Sequence, residues 1–256
     1  TTHTGLHEHV SGAVDPHLPQ LLRRLVGHGA VALHNPGGDR FTKIRNGHGV
    51  IVKMSRWTDM THILTVSPAQ NWLHHSSINS FFNDMPVAVS TARAGNVIGG
   101  GDFANDRIVP DCVRAALKKE DIIVRNPHST RPYQHVLEPL AAYLLIAMKQ
   151  YEDKSYAGFY NVGPDESDCI TTGNLVDTFC AKWGEGLKWV NKYDGGPHEA
   201  NFLKLDCSKL KTTFGWKPVW NFDTAIEKSV AWSKVYAAGG DIPACMDAQI
   251  AEFFDK

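Results

Sequence analysis

Between Glu8 and Glu120 the chain contains no glutamate, and before Tyr133 it contains no tyrosine. Ten of the thirteen histidines, by contrast, crowd into residues 1–75. A native α/β segment of that length rarely avoids both Glu and Tyr, so this shift in composition marks a boundary. No C-x-x-C pair is present, and Cys112, Cys169, Cys180, Cys207 and Cys245 are odd in number and widely spaced. That suits reduced thiols in a cytoplasmic protein better than a disulfide framework or a zinc site. No apolar run approaches the length of a membrane span, and no basic region followed by an apolar one opens the chain, so no membrane partner is expected. A formal net charge of −1 gives no field for nucleic acid. His3, His7 and His9 do not form H-E-x-x-H, and Gly5 interrupts the would-be helix, so no metal site is expected. No G-x-G-x-x-G opens a helix, so the usual dinucleotide fingerprint is absent.

What is present is concentrated after Met85. The run V-A-V-S-T-A-R at Val87–Arg93 predicts a buried strand, ended by Gly95 and followed by Asn96 and the glycines Gly99, Gly100 and Gly101. A strand leading into a backbone free to turn tightly is how an open α/β sheet presents a binding loop. Helices are expected over Ile108–Lys119, with Pro110 in the first turn, and over the apolar Val136–Tyr151. Others are expected over Asn174–Trp183 capped by Thr172, over Ser208–Phe214, and over Asp223–Ala238 before Gly239–Gly240. Short strands are expected at Asp121–Arg125, Gly158–Val162 and Leu187–Asn191. The alternation predicts an α/β architecture with a mostly parallel sheet. Upstream, Leu18–Val26 predicts a short helix and Ala30–Leu33 a short apolar run, while residues 43–80 show little period of either kind.

Two constellations carry chemistry. Gly99-x-Gly101-x-x-Ala104 satisfies the glycine fingerprint nominally, but the next helix begins late, near Ile108. A substrate loop whose backbone N–H groups approach a phosphate is the better reading. The second is the stretch Ile122–Val136, in which Arg125 and Arg131 bracket a loop with two prolines. Guanidinium groups suit a diphosphate, and the amides of Asn126 and Gln134 can read a base or sugar edge. The alternative is a surface loop with two solvated arginines. His198, in G-P-H-E, would hold a phosphate or cap a turn.

These residues together resemble the CDP-glucose 4,6-dehydratase family of extended short-chain dehydrogenase/reductases. The resemblance rests on R-A-G-N-V-I-G-G-G-D with D-R-I-V-P-D, then V-R-N-P-H-S-T-R-P-Y-Q-H-V-L-E-P-L, N-V-G-P and W-G-E-G. It continues through P-H-E-A-N-F-L-K-L-D-C-S-K and G-W-K-P-V-W, and covers about residues 78–232. It implies a Rossmann-like parallel sheet with a smaller C-terminal substrate-binding lobe, of which residues 78–256 form the recognisable part. It further implies a nucleotide-sugar site lined by Asn96, Arg107, Arg125, Asn126, Arg131, Gln134 and His198, with Arg131 on the diphosphate. NAD is the implied cofactor. The reaction implied is oxidation of the sugar at C4, loss of water across C5–C6, and return of the hydride to C6. A homodimer is compatible with it, since members of the superfamily often pair through helices that are partly absent here.

The departures lie in residues 1–77, expected to be a degenerate and poorly ordered remnant of the NAD-binding half. The family's Y-x-x-x-K pair is missing in this reading frame, so no catalytic residue is assigned. Back-translated with permitted codons and read from the third codon position, residues 43–72 can give a family-like segment containing Y-S-N-S-K. Its Tyr codon spans His62–Ile63 and its Lys codon spans Val66–Ser67. A frameshifted translation is the hypothesis this supports, and the nucleotide sequence of the gene tests it.

Overall fold

The structure, a computed structural model, describes residues 50–54, 88–192 and 202–255. The helix expected at Leu18–Val26, the run Ala30–Leu33, the shifted-frame Tyr and Lys positions and His198 lie outside the described residues. One strand falls where the sequence showed no period: β1, Val50–Met54, reads V-I-V-K-M, and its β-branched start suits a pleated ladder. It pairs in parallel with β2, Ala88–Ala94, through Val50↔Ala88 to Met54↔Ala92.

The chain then leaves that sheet at Gly95 and forms β3, Asn96–Ile98. Helix α1 follows over Ile108–Lys118 and closes on Lys119, a left-handed residue at φ 58°. The strands β4, Ile122–Val124, and β5, Thr130–His135, come next. Helix α2 spans Leu137–Glu152, and β6, Phe159–Val162, returns to the far side of β2, with Ala92 opposite Tyr160. The parallel order β1-β2-β6 is therefore a crossover sheet.

α2 lies on this sheet because both surfaces are small where they meet. Ala92 and Ala94 of β2 share a buried cluster with Ala142, Ile146 and Ala147 of α2, closed by Tyr160, Val162, Leu210 and Trp216. A polar bridge crosses the same interface. Ser90 is hydrogen-bonded to Gln150 of α2, and its Oγ accepts from Gly158 N at 3.0 Å, so both buried side chains are partnered.

The second half is a separate core. β7, Cys169–Thr171, runs antiparallel to β5, and α3, Thr172–Trp183, follows it directly. β8, Trp189–Asn191, pairs in parallel with β4. α4 is Ser208–Phe214, α5 is Phe222–Ala237 and α6 is Ile242–Phe254. Val109 and Cys112 of α1, Leu175, Val176 and Phe179 of α3, and Ala225, Ile226 and Val230 of α5 enclose Ile98, Ile122, Val124 and Tyr133.

Two sequence expectations are corrected, and one helix went unread. The cap of α3 is Thr171, whose Oγ1 accepts from Asn174 N at 3.2 Å, and not Thr172, which is already helical. Thr171→Ala should cost about 1 kcal/mol of stability, measured by denaturant unfolding, because one first-turn N–H loses its acceptor. The loop read between Arg125 and Arg131 ends sooner than expected, since Thr130–His135 is a strand. Pro132 hid it from pattern reading, because proline cannot donate to a ladder. The register shows how the strand tolerates it: in the named ladders Thr130–Pro132 pair with β7 and Tyr133–His135 with β3, while Thr130 also bridges Phe202. Helix α6 went unread, although Asp241 caps it by accepting from Ala244 N at 2.9 Å and Pro243 occupies its first turn.

Candidate functional site

Gly95 is where the site is set. A Cβ there would stand 2.6 Å from the backbone oxygen of Pro132, so only glycine lets the β2–β3 corner approach β5. Beyond that corner Asn96 lies opposite Tyr133, and Val97 opposite Gln134. Gln134 is 2% exposed and its Nε2 donates to Val162 O at 2.9 Å, bridging from β5 to β6 of the other sheet. Asn96 Oδ1 and Gln134 Oε1 have no hydrogen-bond partner among the described residues. Buried acceptors of this kind call for a donor.

The arginines divide into two groups. Arg107, at the N-terminus of α1, pairs with Asp102 at 2.9 Å, and Arg125, just past β4, pairs with Asp106 at 3.3 Å. Both therefore converge on the loop that follows the glycine run. Arg131 projects from β5, with Nη1 donating to Thr130 O at 3.0 Å. Asn126 begins a turn closed by Ser129, whose Oγ donates to the Asn126 carbonyl at 3.1 Å. All six described candidates thus rise from elements that pack on one core cluster. Arg125 and Arg131 flank the turn at residues 126–129, Arg125 just past β4 and Arg131 within β5.

The glycine run is not followed promptly by a helix. Its helix starts only at Ile108, and a Cβ on Gly100 would meet the Trp232 ring at 2.0 Å. Trp232 in turn stacks on Tyr236 at 5.4 Å, with Phe103 against Tyr236 at 5.2 Å. Glycine at position 100 is accounted for by that aromatic approach.

Sequence reading missed two groups beside the arginines. One is a hydroxyl network: Tyr133 Oη and Ser129 Oγ lie 3.1 Å and 2.9 Å from Thr172 Oγ1. The other is a pair of buried titratable side chains. His135 Nδ1 accepts from Leu137 N at 3.3 Å, and its ring meets Trp220 edge-on at 4.8 Å. Burial, aided by the Lys228 charge, lowers its pKa to about 4, so it is a neutral imidazole. Glu138 Oε1 accepts from Val219 N at 2.9 Å and Trp220 N at 2.6 Å. Burial pushes its pKa up to about 7 against those two hydrogen bonds. A lone acid in the apolar opening of α2, L-E-P-L-A-A-Y-L-L, was the available signal. Among the described residues no group of three or more His, Cys, Asp or Glu could hold a metal, and no helix is long and apolar enough to cross a membrane.

Parallel strands, crossover helices and a glycine-rich turn at a strand end define an α/β chain of the Rossmann type. Solved structures share this fold. The dTDP-glucose 4,6-dehydratase of Bacillus anthracis, in complex with NAD, superposes with a TM-score of 0.55 at 15% identity, covering 87% of this chain and 68% of that one. UDP-N-acetylglucosamine 4-epimerase of Methanobrevibacter ruminantium M1 gives 0.57 at 17% identity, over 73% and 63%. In sequence, the chain is 40% identical over 181 residues to CDP-glucose 4,6-dehydratase of Salmonella typhimurium, covering 68% of this chain and 50% of that protein. It is 26% identical over 159 residues, 58% of this chain and 42% of that protein, to a "Probable dTDP-glucose 4,6-dehydratase" of Sinorhizobium fredii. No protein-family model matches. The chain resembles the CDP-glucose 4,6-dehydratase family over two thirds of its own length. It spans about half the length of the curated relatives it matches.

Proposed function

We propose that the polypeptide carries the nucleotide-sugar-binding part of an NAD-dependent CDP-glucose 4,6-dehydratase, a lyase, and that it does not turn substrate over as written. The observation carrying the substrate is the 40% identity to a CDP-glucose 4,6-dehydratase. In this reading Arg131 holds the diphosphate, with Arg107 and Arg125 adding positive charge beside it. The amides of Asn96, Asn126 and Gln134 contact sugar, phosphate and base, and His198 completes the set. An extended β5 supports the reading, because it offers Arg131 from a strand and not from a pliable loop.

NAD is the cofactor this chemistry calls for, as hydride acceptor at C4 and donor at C6. The described glycine run does not fit it, so no step is assigned to a dinucleotide here. No tyrosine precedes Tyr133, and a Y-x-x-x-K base is therefore not supplied in this frame. Translation out of frame across residues 43–72 is the proposed cause. The same absence favours a second reading, a non-catalytic protein that binds a nucleotide sugar.

The decisive experiment purifies the chain, assays bound NAD, and follows CDP-glucose by mass for loss of water. No retained NAD and no 4-keto-6-deoxy product are expected, while CDP binds measurably by calorimetry. Clear turnover would overturn the inactive reading. Failure to bind CDP would overturn the nucleotide-sugar site itself.

A further inference from the structure

The turn that holds Asn126 is fastened to the rest of the molecule by three hydroxyls in mutual contact. Ser129 Oγ donates to Asn126 O at 3.1 Å, and Thr172 Oγ1 donates to Ser129 O at 3.2 Å. Ser129 Oγ also lies 2.9 Å from Thr172 Oγ1, a contact in which either hydroxyl can donate. Tyr133 Oη reaches the same Thr172 Oγ1 at 3.1 Å, again with either as donor. The result is a connected chain Tyr133–Thr172–Ser129–Asn126. It starts on β5, two residues from Arg131, and ends on the carbonyl of the residue assigned above to a base or sugar edge. Ser129 and Tyr133 are 3% exposed, so water does not compete for these bonds.

The backbone repeats the connection. Thr172 N donates to Ser129 O at 2.9 Å and Gly173 N to Pro127 O at 2.8 Å. A Cβ at Gly173 would meet that Pro127 oxygen at 3.2 Å, so the first turn of α3 lies tightly against the turn. The backbone bonds fix the height of the turn over α3. The hydroxyl chain ties the turn to β5 a second time, through Tyr133 in the middle of the strand, besides the peptide bond by which Ser129 runs into Thr130.

We propose that Tyr133 is a positioning residue that, through Thr172 and Ser129, locks the Asn126–Ser129 turn to β5 and thereby sets which pyrimidine the site prefers. This rests on the nucleotide-sugar reading above. Cytosine and uracil present opposite hydrogen-bonding edges at the 4-position, so an amide discriminates them only if its carrier is held in place. A turn that loses its tie to Tyr133 keeps its contacts in kind but loses their registration. Phosphate binding, supplied by Arg131 from the strand itself, stays the same.

The test compares Tyr133→Phe, Thr172→Val and Thr172→Ser with the parent chain, using CDP, UDP and inorganic pyrophosphate in calorimetric titrations. Tyr133→Phe and Thr172→Val should each lower the CDP-to-UDP affinity ratio roughly five- to tenfold, as expected for a lost buried hydrogen bond. Pyrophosphate affinity should be unchanged in both, and Thr172→Ser, which keeps the hydroxyl, should keep the ratio. A merely structural role would weaken all three ligands together, and that outcome overturns the proposal. An unchanged ratio in both Tyr133→Phe and Thr172→Val overturns it as well. A parent chain that binds CDP with no preference over UDP removes this inference and leaves the site standing. A parent that binds neither CDP nor pyrophosphate removes both.

Discussion

Replacing Glu138 by Gln should stabilise the protein progressively as pH rises from 4.5 to 7.5, by about 3 kcal/mol relative to the parent. The folded carboxyl titrates at about 7 against 4.5 for an ordinary glutamate. Through that window the native state therefore holds a proton that the unfolded chain has released. Excess protons on the native side make stability fall as pH rises, and glutamine abolishes the effect while keeping an acceptor for Val219 N and Trp220 N. His135 works in the opposite sense. Its folded pKa of about 4 lies below the ordinary 6.5, so between those values the unfolded chain binds the extra proton and stability falls as pH falls. His135→Gln should gain a similar amount, about 3 kcal/mol relative to the parent, on acidification from pH 6.5 to 4. Both residues flank Trp220, and in the parent their opposite slopes largely offset each other between pH 4.5 and 6.5. Denaturant titrations of the three proteins at half-unit pH steps measure this. Parallel curves for parent and variants would sink the assignment.

Gly95→Ala is the second large effect. The added methyl would stand 2.6 Å from the Pro132 carbonyl oxygen, a backbone atom with no rotamer to yield. Relief requires β3 and β5 to part, at an expected cost of about 3 kcal/mol. The strain falls on the pairing of Asn96 with Tyr133, so nucleotide binding should weaken along with stability. Thermal unfolding and CDP titration of the same sample read both. A variant as stable as the parent would mean that the corner accommodates a side chain after all.

Much of the architecture was legible because it follows local rules. The small-residue strand before Gly95, Pro110 in the first turn of α1, the apolar length of α2 and the Gly239–Gly240 stop after α5 each announce an element. β5 was not legible, because Pro132 argues against a strand unless one knows that its two halves pair with different neighbours. The site divides in the same way. Arginine and amide residue types pointed to Arg125, Asn126, Arg131 and Gln134, but not to Asp102 and Asp106, which gather Arg107 and Arg125. Nor could sequence pair Tyr133 with Thr172 or Ser90 with Gln150, contacts made only when distant segments fold together. Thr172 shows the cost: read locally it is a helix cap, while in the structure its hydroxyl faces Ser129 and Tyr133.

The ladders have a consequence for how the protein is made. Val50 pairs with Ala88, Asn96 with Tyr133, Thr130 with Thr171, and Ile122 with Trp189. No described ladder is a hairpin, so every one must close a long loop before it gains a hydrogen bond. Folding should then be slow for the chain's size, with helices such as α2 and α5 formed while strand edges still wait for partners. During synthesis β2 emerges long before β6, its neighbour through Ala92 and Tyr160, and must remain unpaired on that side until then. Yield in a cell would accordingly depend more on temperature and chaperone supply than on the stability of the finished fold.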